Sequence, residues 1–146
     1  MSLAPEQTAM LDEALLRKHV SQRQGSGGKS LNYLEAHYVK RTANRIFGYD
    51  GWSYVVDELR IAGIEDIEKN GRKGVRVGYV AIVTVTVGEV RRGDVGYGDA
   101  VEYVGSSITP HELAAKEAVS DAVKRCFASW GDQFGLVLYD KDRTAA

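Results

Sequence analysis

Apolar and polar residues alternate most regularly over residues 75–87, where Val75, Val77, Tyr79, Ala81, Val83, Val85 and Val87 take every second position. That period predicts a strand with one buried face. The intervening residues, Arg76, Gly78, Val80, Ile82, Thr84 and Thr86, are mixed, so part of the second face is expected to be covered as well. Residues 53–62, with Tyr54, Val55, Val56, Leu59 and Ile61, predict an earlier strand, and Asn70-Gly71 beside Lys73-Gly74 predicts the turn between the two. Gly88-Glu89 predicts a short connection into a further strand from 90 to Val104. Its centre, Gly93-Asp94-Val95-Gly96-Tyr97-Gly98, is rich in glycine, which marks a bulge or a close approach of backbones.

Helical periods flank this β region. Over 7–19, Leu11, Ala14, Leu15 and Lys18 recur three and four apart, and over about 33–46 Leu34, Val39, Ala43 and Ile46 do the same, with Gly48 suited to the helix end. Residues 21–30, polar and glycine-rich, predict an exposed flexible loop between them. Gly25, Gly27 and Gly28 do not form a phosphate loop, because no GK[ST] closes a glycine frame. A long helix is expected from Thr109, a favourable N-cap followed by Pro110 and Glu112, to about Trp130, burying Val119, Ala122, Val123, Cys126, Phe127 and Trp130. Gly131 ends it, and an apolar stretch over 134–139 leads into a charged tail. Helix, helix, three or four antiparallel strands and a long helix packed on the sheet give an α+β fold. A single domain is expected over 1–146, with an N-terminal helix and glycine-rich loop to residue 30 and a core over 31–142.

Composition changes this picture little. Of 146 residues, 44% are hydrophobic and 27% charged, ordinary for a globular domain with a real core. No stretch nears the length of a membrane span, and the N-terminus lacks the basic start and apolar run of a signal peptide. Cys126 is the only cysteine, so neither an intrachain disulfide nor a cysteine zinc cluster is possible, and a cytoplasmic, reducing location is expected. The net charge is −1, from 19 Lys and Arg against 20 Asp and Glu, so phosphate binding would depend on how the charges are sorted in space.

The residues offer poor material for catalysis. His19, His37 and His111 are far apart, no serine sits in a nucleophile elbow, and Cys126 lies on an apolar helix face. Asp94, Asp99 and Glu102 are the best carboxylate group and would suit a metal-dependent nuclease if they converged. Basic groups are more suggestive. Lys69, Arg72, Lys73 and Arg76 follow one another with no acid among them. Lys40, Arg41 and Arg45 lie near Tyr33, Tyr38 and Tyr49. Lys116, Ser120 and Lys124 line one helical stripe with Arg125 beside it, although Asp121 could pair with Arg125. Tyr38, Tyr49, Trp52, Tyr97 and Tyr103 could offer faces to nucleobases, with core packing the plainer role for Trp52 and Phe47. Cations interleaved with aromatics are what a single-strand binder needs.

An ordered set of motifs adds to this reading. Leu34-Glu35-Ala36-His37, Ala43-Asn44 and Phe47-Gly48-Tyr49-Asp50-Gly51-Trp52 resemble the start of the annealing domain of the Rad-fifty-two family. Asp94-Val95-Gly96-Tyr97-Gly98 resembles its central strand, and residues 116–125 (KEAVSDAVKR) resemble its long helix. Phe134-Gly135, Leu138, Asp140, Lys141 and Asp142 resemble its end. The resemblance spans about 33–142 and is nearest to the short bacterial members called DNA damage response protein A. It implies a β-β-β-α fold and a closed homo-oligomeric ring whose neighbours approach at the glycines. It further implies single-stranded DNA in a groove, nucleoid association, end binding, nuclease protection and strand annealing, with possible partners among other repair proteins. No cofactor, metal, membrane or catalytic residue is implied. Lys124 and Arg125 match the inner-groove cations and Tyr49 an aromatic position near them. Tyr38 and Ala128 stand where the family tends to have arginines, with Lys40 or Arg41 able to compensate for the first. Gly74 and Gly105 replace lysines of an outer DNA site, and Arg72 and Lys73 are near enough to substitute for one of them. These departures favour holding and protecting single strands over brisk annealing. The expected DNA-binding residues are thus Lys124, Arg125, Lys40, Arg41, Tyr49, Tyr97, Lys116, Lys69, Arg72, Lys73 and Arg76. The alternatives are the nuclease and a ring that scaffolds other proteins.

Overall fold

The computed structural model describes residues 2–103 and 108–140; Val104, Gly105, Lys141 and Asp142, named above, lie outside them. The elements are α1 (Pro5–Asp12), β1 (Ser21–Gln24), β2 (Ser30–Tyr33), α2 (Ala36–Phe47), β3 (Trp52–Lys69), β4 (Arg72–Val87), β5 (Val90–Glu102) and α3 (Thr109–Ala128). Short 3-10 turns follow at Asp132–Phe134 and Leu136–Tyr139. The α+β expectation is met, with a three-stranded β3-β4-β5 sheet and a separate β1-β2 ribbon. By internal contacts the chain forms two compact units.

The first unit comprises residues 1–53, 86–91 and 127–146. Its core gathers Leu15, Leu34, Val39, Ala43, Ile46, Phe47, Phe127 and Phe134, all buried. The Phe127 and Phe134 rings stack at 5.0 Å, and Trp130 meets Phe47 edge-on. Trp52 meets Phe127 edge-on and donates its indole N–H to Asn44 Oδ1 at 2.7 Å, which satisfies the one polar atom of a large apolar side chain. Gly48 ends α2 at a φ of 87°. Two expectations fail in this unit. The first helix stops at Asp12, leaving Ala14 exposed and Leu15 to enter the core from extended chain. The glycine-rich loop is a β-hairpin, pairing Ser21 with Tyr33 through Gln24 with Ser30. Its strands are polar and largely exposed on both faces, so no hydrophobic alternation announces them.

The second unit comprises residues 54–85 and 92–126. Asn70 and Gly71, at φ 53° and 78°, form the tight turn between β3 and β4, because both central positions of such a hairpin turn need positive φ. The cross-strand pairs Asp57/Thr84 and Glu65/Arg76 lie symmetrically about this turn and mark the antiparallel register. Both strands run longer than expected, β3 reaching Lys69 and β4 starting at Arg72. On β4, Val77, Ala81, Val83 and Val85 are buried, and so is Val80 on the other face.

The central glycines of β5 have a definite cause. A Cβ on Gly96 would collide with the backbone of Ala118 and Ala122, and one on Gly98 with the backbone of Ala114 and Ala118. The close approach is therefore to α3 of the same chain, not to a neighbouring copy. The buried stripe of α3 is correspondingly small: Ala114, Ala118 and Ala122, with Val123 and Cys126, whereas Val119 is only half-buried. Cys126 donates its S–H to the Val83 carbonyl at 3.3 Å. Burial, with a smaller contribution from the Asp94 charge, pushes its thiol up to about 11. A neutral, enclosed thiol is a poor nucleophile. In a thiol titration at neutral pH the folded protein should release no chromophore, and one equivalent should appear once denaturant is added.

Candidate nucleic-acid interface

Helix α2 carries the first basic surface. Its apolar residues face the core, and His37, Lys40, Arg41, Asn44 and Arg45 fall on the other side, as the helical period requires. With Tyr49, which follows the helix and is 89% exposed, they line a hollow of about 510 Å³ that has no acidic residue in its wall. Three of the expected residues, Lys40, Arg41 and Tyr49, are thereby brought together. The same site includes Arg45, which the sequence groups with Lys40 and Arg41 but which is not among the expected DNA-binding residues. Its position four residues after Arg41 was a usable signal.

The second basic surface lies on α3 and β5 in the other unit. One oxygen of Asp121, Oδ2, accepts the Tyr97 backbone N–H at 3.0 Å and the Arg125 Nε–H at 3.2 Å. The i,i+4 pairing of Asp121 with Arg125 is thus present, and it also ties Arg125 to Tyr97, whose ring is on a residue 64% exposed. Lys124 is the next residue along and is half-buried. Lys116 lies two turns earlier and pairs with Glu112, whose carboxyl it holds below the usual range by hydrogen bond and charge.

The remaining expected residues sit at the β3–β4 hairpin. Lys69 and Lys73 are exposed, and the Arg72 guanidinium lies 5.0 Å from the centre of the Tyr103 ring. Arg76 lies between two carboxylates, at 2.8 Å from Asp99 and 3.2 Å from Glu65, which together raise its pKa further. Its charge is locally neutralised, unlike that of Lys69 and Lys73 at the hairpin end. At position 74 a Cβ would lie 2.8 Å from the Glu102 carbonyl, so packing accounts for this glycine.

The carboxylate alternative is not supported. Asp94 and Asp99 are an odd number of residues apart on β5 and point to opposite faces, and Asp94 and Glu102 lie eight positions apart along the strand. Asp99 is engaged by Arg76, and Asp94 accepts the N–H of Val95 at 2.7 Å. Among the described residues no three His, Cys, Asp or Glu side chains come together as a metal site. Nor do the histidines converge: His111 bonds Tyr79 through Nδ1 at 2.9 Å, while His19 stacks on Tyr38 at 4.7 Å. Among the described residues no helix is long and apolar enough to cross a membrane.

Comparison with known proteins bears out the family resemblance. The Rad52/22 family of double-strand break repair proteins matches residues 4–146. The DNA repair and recombination protein RAD52 of Kluyveromyces lactis is 39% identical over 133 residues, covering 90% of this chain and 29% of that protein. RAD52 of Saccharomyces cerevisiae is 38% identical over 132 residues, 90% of this chain and 27% of that protein. The DNA repair and recombination protein rad22 of Schizosaccharomyces pombe is 31% identical over 140 residues, 93% of this chain and 29% of that protein. The chain thus spans less than a third of the length of these relatives. With a family match over nearly all its length, it belongs to the Rad52/22 family of double-strand break repair proteins.

Proposed function

We propose that this protein binds single-stranded DNA without catalysis and protects strand ends during repair, as a homo-oligomeric ring that can also anneal strands. The observation that carries the reading is the hollow on α2. An exposed tyrosine ring stands beside Lys40, Arg41 and Arg45 with no carboxylate in the wall. Cations take the phosphates and the ring takes a base face, a combination that tolerates any sequence. In the second unit Asp121 ties Arg125 to the backbone of the exposed Tyr97, with Lys124 next in the chain, which supplies further cations near an exposed ring.

Self-assembly is supported by β3. This 18-residue strand forms one edge of its sheet and exposes Val55, Leu59, Ile61 and Ile64. A long apolar edge of this kind invites a partner, and a second copy supplies one at every subunit of a ring. Tyr38 and Ala128 in place of family arginines incline the activity toward holding strands. Sizing of the purified protein with and without a labelled oligonucleotide is the test. A large assembly that carries the label at low salt and loses it steeply as salt rises is expected. An assembly that ignores the strand at low salt would leave only the scaffolding role.

A further inference from the structure

A second hollow, of about 590 Å³, opens within the first unit on the other side of the same two arginines. Its wall includes Arg41, Arg45, His19, Tyr38, Gln133 and, as its one acid, Glu13. What sets it apart is Gln133, a polar side chain only 5% exposed. Its amide donates to the carbonyls of Glu13 at 2.9 Å and Ala14 at 2.8 Å. Both amide hydrogens are thereby used, which fixes which end of the amide carries the oxygen. That oxygen accepts a hydrogen bond from Arg45 Nη2 at 3.0 Å. A flipped amide would set NH2 against the guanidinium and oxygen against two carbonyls.

Arg45 is therefore held in place by a neutral group. One of its five N–H donors is spent on Gln133, and its charge is left intact. Arg41, one helical turn away, adds a second guanidinium on the same side of α2. Two like charges at this spacing repel, and the group that anchors Arg45 is a neutral glutamine, not a carboxylate. A planar, pre-positioned guanidinium beside another is suited to a phosphate oxygen pair. The stacked rings of His19 and Tyr38 supply a flat wall beside it.

We infer that this hollow is a phosphate subsite, in which Arg41 and Arg45 grip one phosphate group and Gln133 is the positioning residue for Arg45. The inference rests on the single-strand reading for its natural ligand, the phosphate of a DNA strand, internal or terminal. It adds to that reading a residue from outside α2.

The test compares the wild type, Arg41→Gln plus Arg45→Gln, Arg45→Lys, Gln133→Leu and Gln133→Glu. Anisotropy of a labelled oligothymidylate is followed against salt, and melting temperature against pyrophosphate. The double glutamine variant should bind about fivefold or more weakly and flatten the slope of log K on log salt by about 0.7 for each phosphate it no longer neutralises. Gln133→Glu should flatten the slope likewise, by neutralising Arg45. Gln133→Leu should weaken binding with the slope kept, since the charges remain and only their placement is disturbed. A merely structural glutamine would lower the melting temperature in both Gln133 variants and move neither slope nor affinity. Arg45→Lys, an exposed change that keeps the charge, should fold and bind between the wild type and the double variant. Strands with and without a 5′-phosphate separate the sources: equal affinity assigns an internal phosphodiester, and a gain confined to the phosphorylated strand assigns the end. Pyrophosphate should raise the melting temperature of the wild type and not of the double variant. Wild-type binding to DNA with the double variant unchanged in affinity, slope and pyrophosphate response would overturn the subsite and leave the single-strand reading standing. A pyrophosphate response that needs both arginines, in a protein that ignores DNA, would do the reverse.

Discussion

Reversing the charge of Lys124 and Arg125 together is expected to weaken single-strand binding on the order of 50-fold at about 50 mM salt, because two phosphates per subunit go without a cation. Each phosphate neutralised on a single strand contributes about 0.7 to the slope of log affinity on log salt, so the slope should also fall by about 1.4. Fluorescence anisotropy over a salt series reads both quantities. The reversal at Arg125 has a second consequence, because Asp121 accepts from both Arg125 and the Tyr97 backbone. A glutamate at 125 would face Asp121 across one helical turn, a repulsion of a few tenths of a kcal/mol. Arg125→Gln removes the charge without that repulsion, and should reproduce about half of the slope change. Unchanged affinity in the double reversal would exclude this face of α3 from the DNA surface. Unchanged slope with weaker binding would instead show that only the placement of Tyr97 had been disturbed.

The largest effect on stability is expected at Gly96. Gly96→Val should cost about 3 kcal/mol or more and lower Tm by roughly 10 °C. A side chain there meets the backbone of α3 at Ala118 and Ala122, and backbone cannot swing aside as a flexible side-chain end can. Either the helix lifts from the sheet, opening a void along Ala114, Ala118 and Ala122, or β5 leaves its register. Gly63→Ala is the matched control, because a Cβ there meets nothing within 4 Å. It should be neutral or stabilise by a few tenths of a kcal/mol through the unfolded chain. Thermal melts followed by far-UV circular dichroism settle the pair. Equal Tm in the Gly96 variant and the wild type would mean that α3 does not rest on β5 as described.

The parts legible in the sequence were those where one local period decides the outcome. Alternation over β4 marked its buried face because burial and pleat share the period of two, and Val39, Ala43 and Ile46 marked the inner side of α2, although the helix begins at Ala36 and Leu34 is buried just before it. The β1–β2 hairpin was illegible for the opposite reason: Gln22, Arg23 and Gln24 pair with Asn32, Leu31 and Ser30 with no buried side to pattern them. Of the residues expected on the buried stripe of α3, Ala122, Val123, Cys126 and Phe127 are buried and Val119 and Trp130 only half-buried, while the small Ala114 and Ala118 were missed. Glycines two apart at 96 and 98 opposite alanines four apart at 114, 118 and 122 are a matched pair of small surfaces, and that match was visible before any coordinates. Within the candidate site, Lys40, Arg41 and Tyr49 were legible from charge and spacing. Gln133 was not, because its partners Glu13 and Ala14 lie about 120 residues earlier in the chain and no local pattern links them.

The placement of the two tryptophans has a practical result. Trp52 and Trp130 both belong to the first unit, and the second contains neither. Indole emission therefore watches the aromatic cluster around Phe47 and Phe127, while the amide signal in the far ultraviolet watches the whole backbone. If the two units come apart at different temperatures, the optical curves will separate; if they melt as one cooperative body, the curves will superimpose.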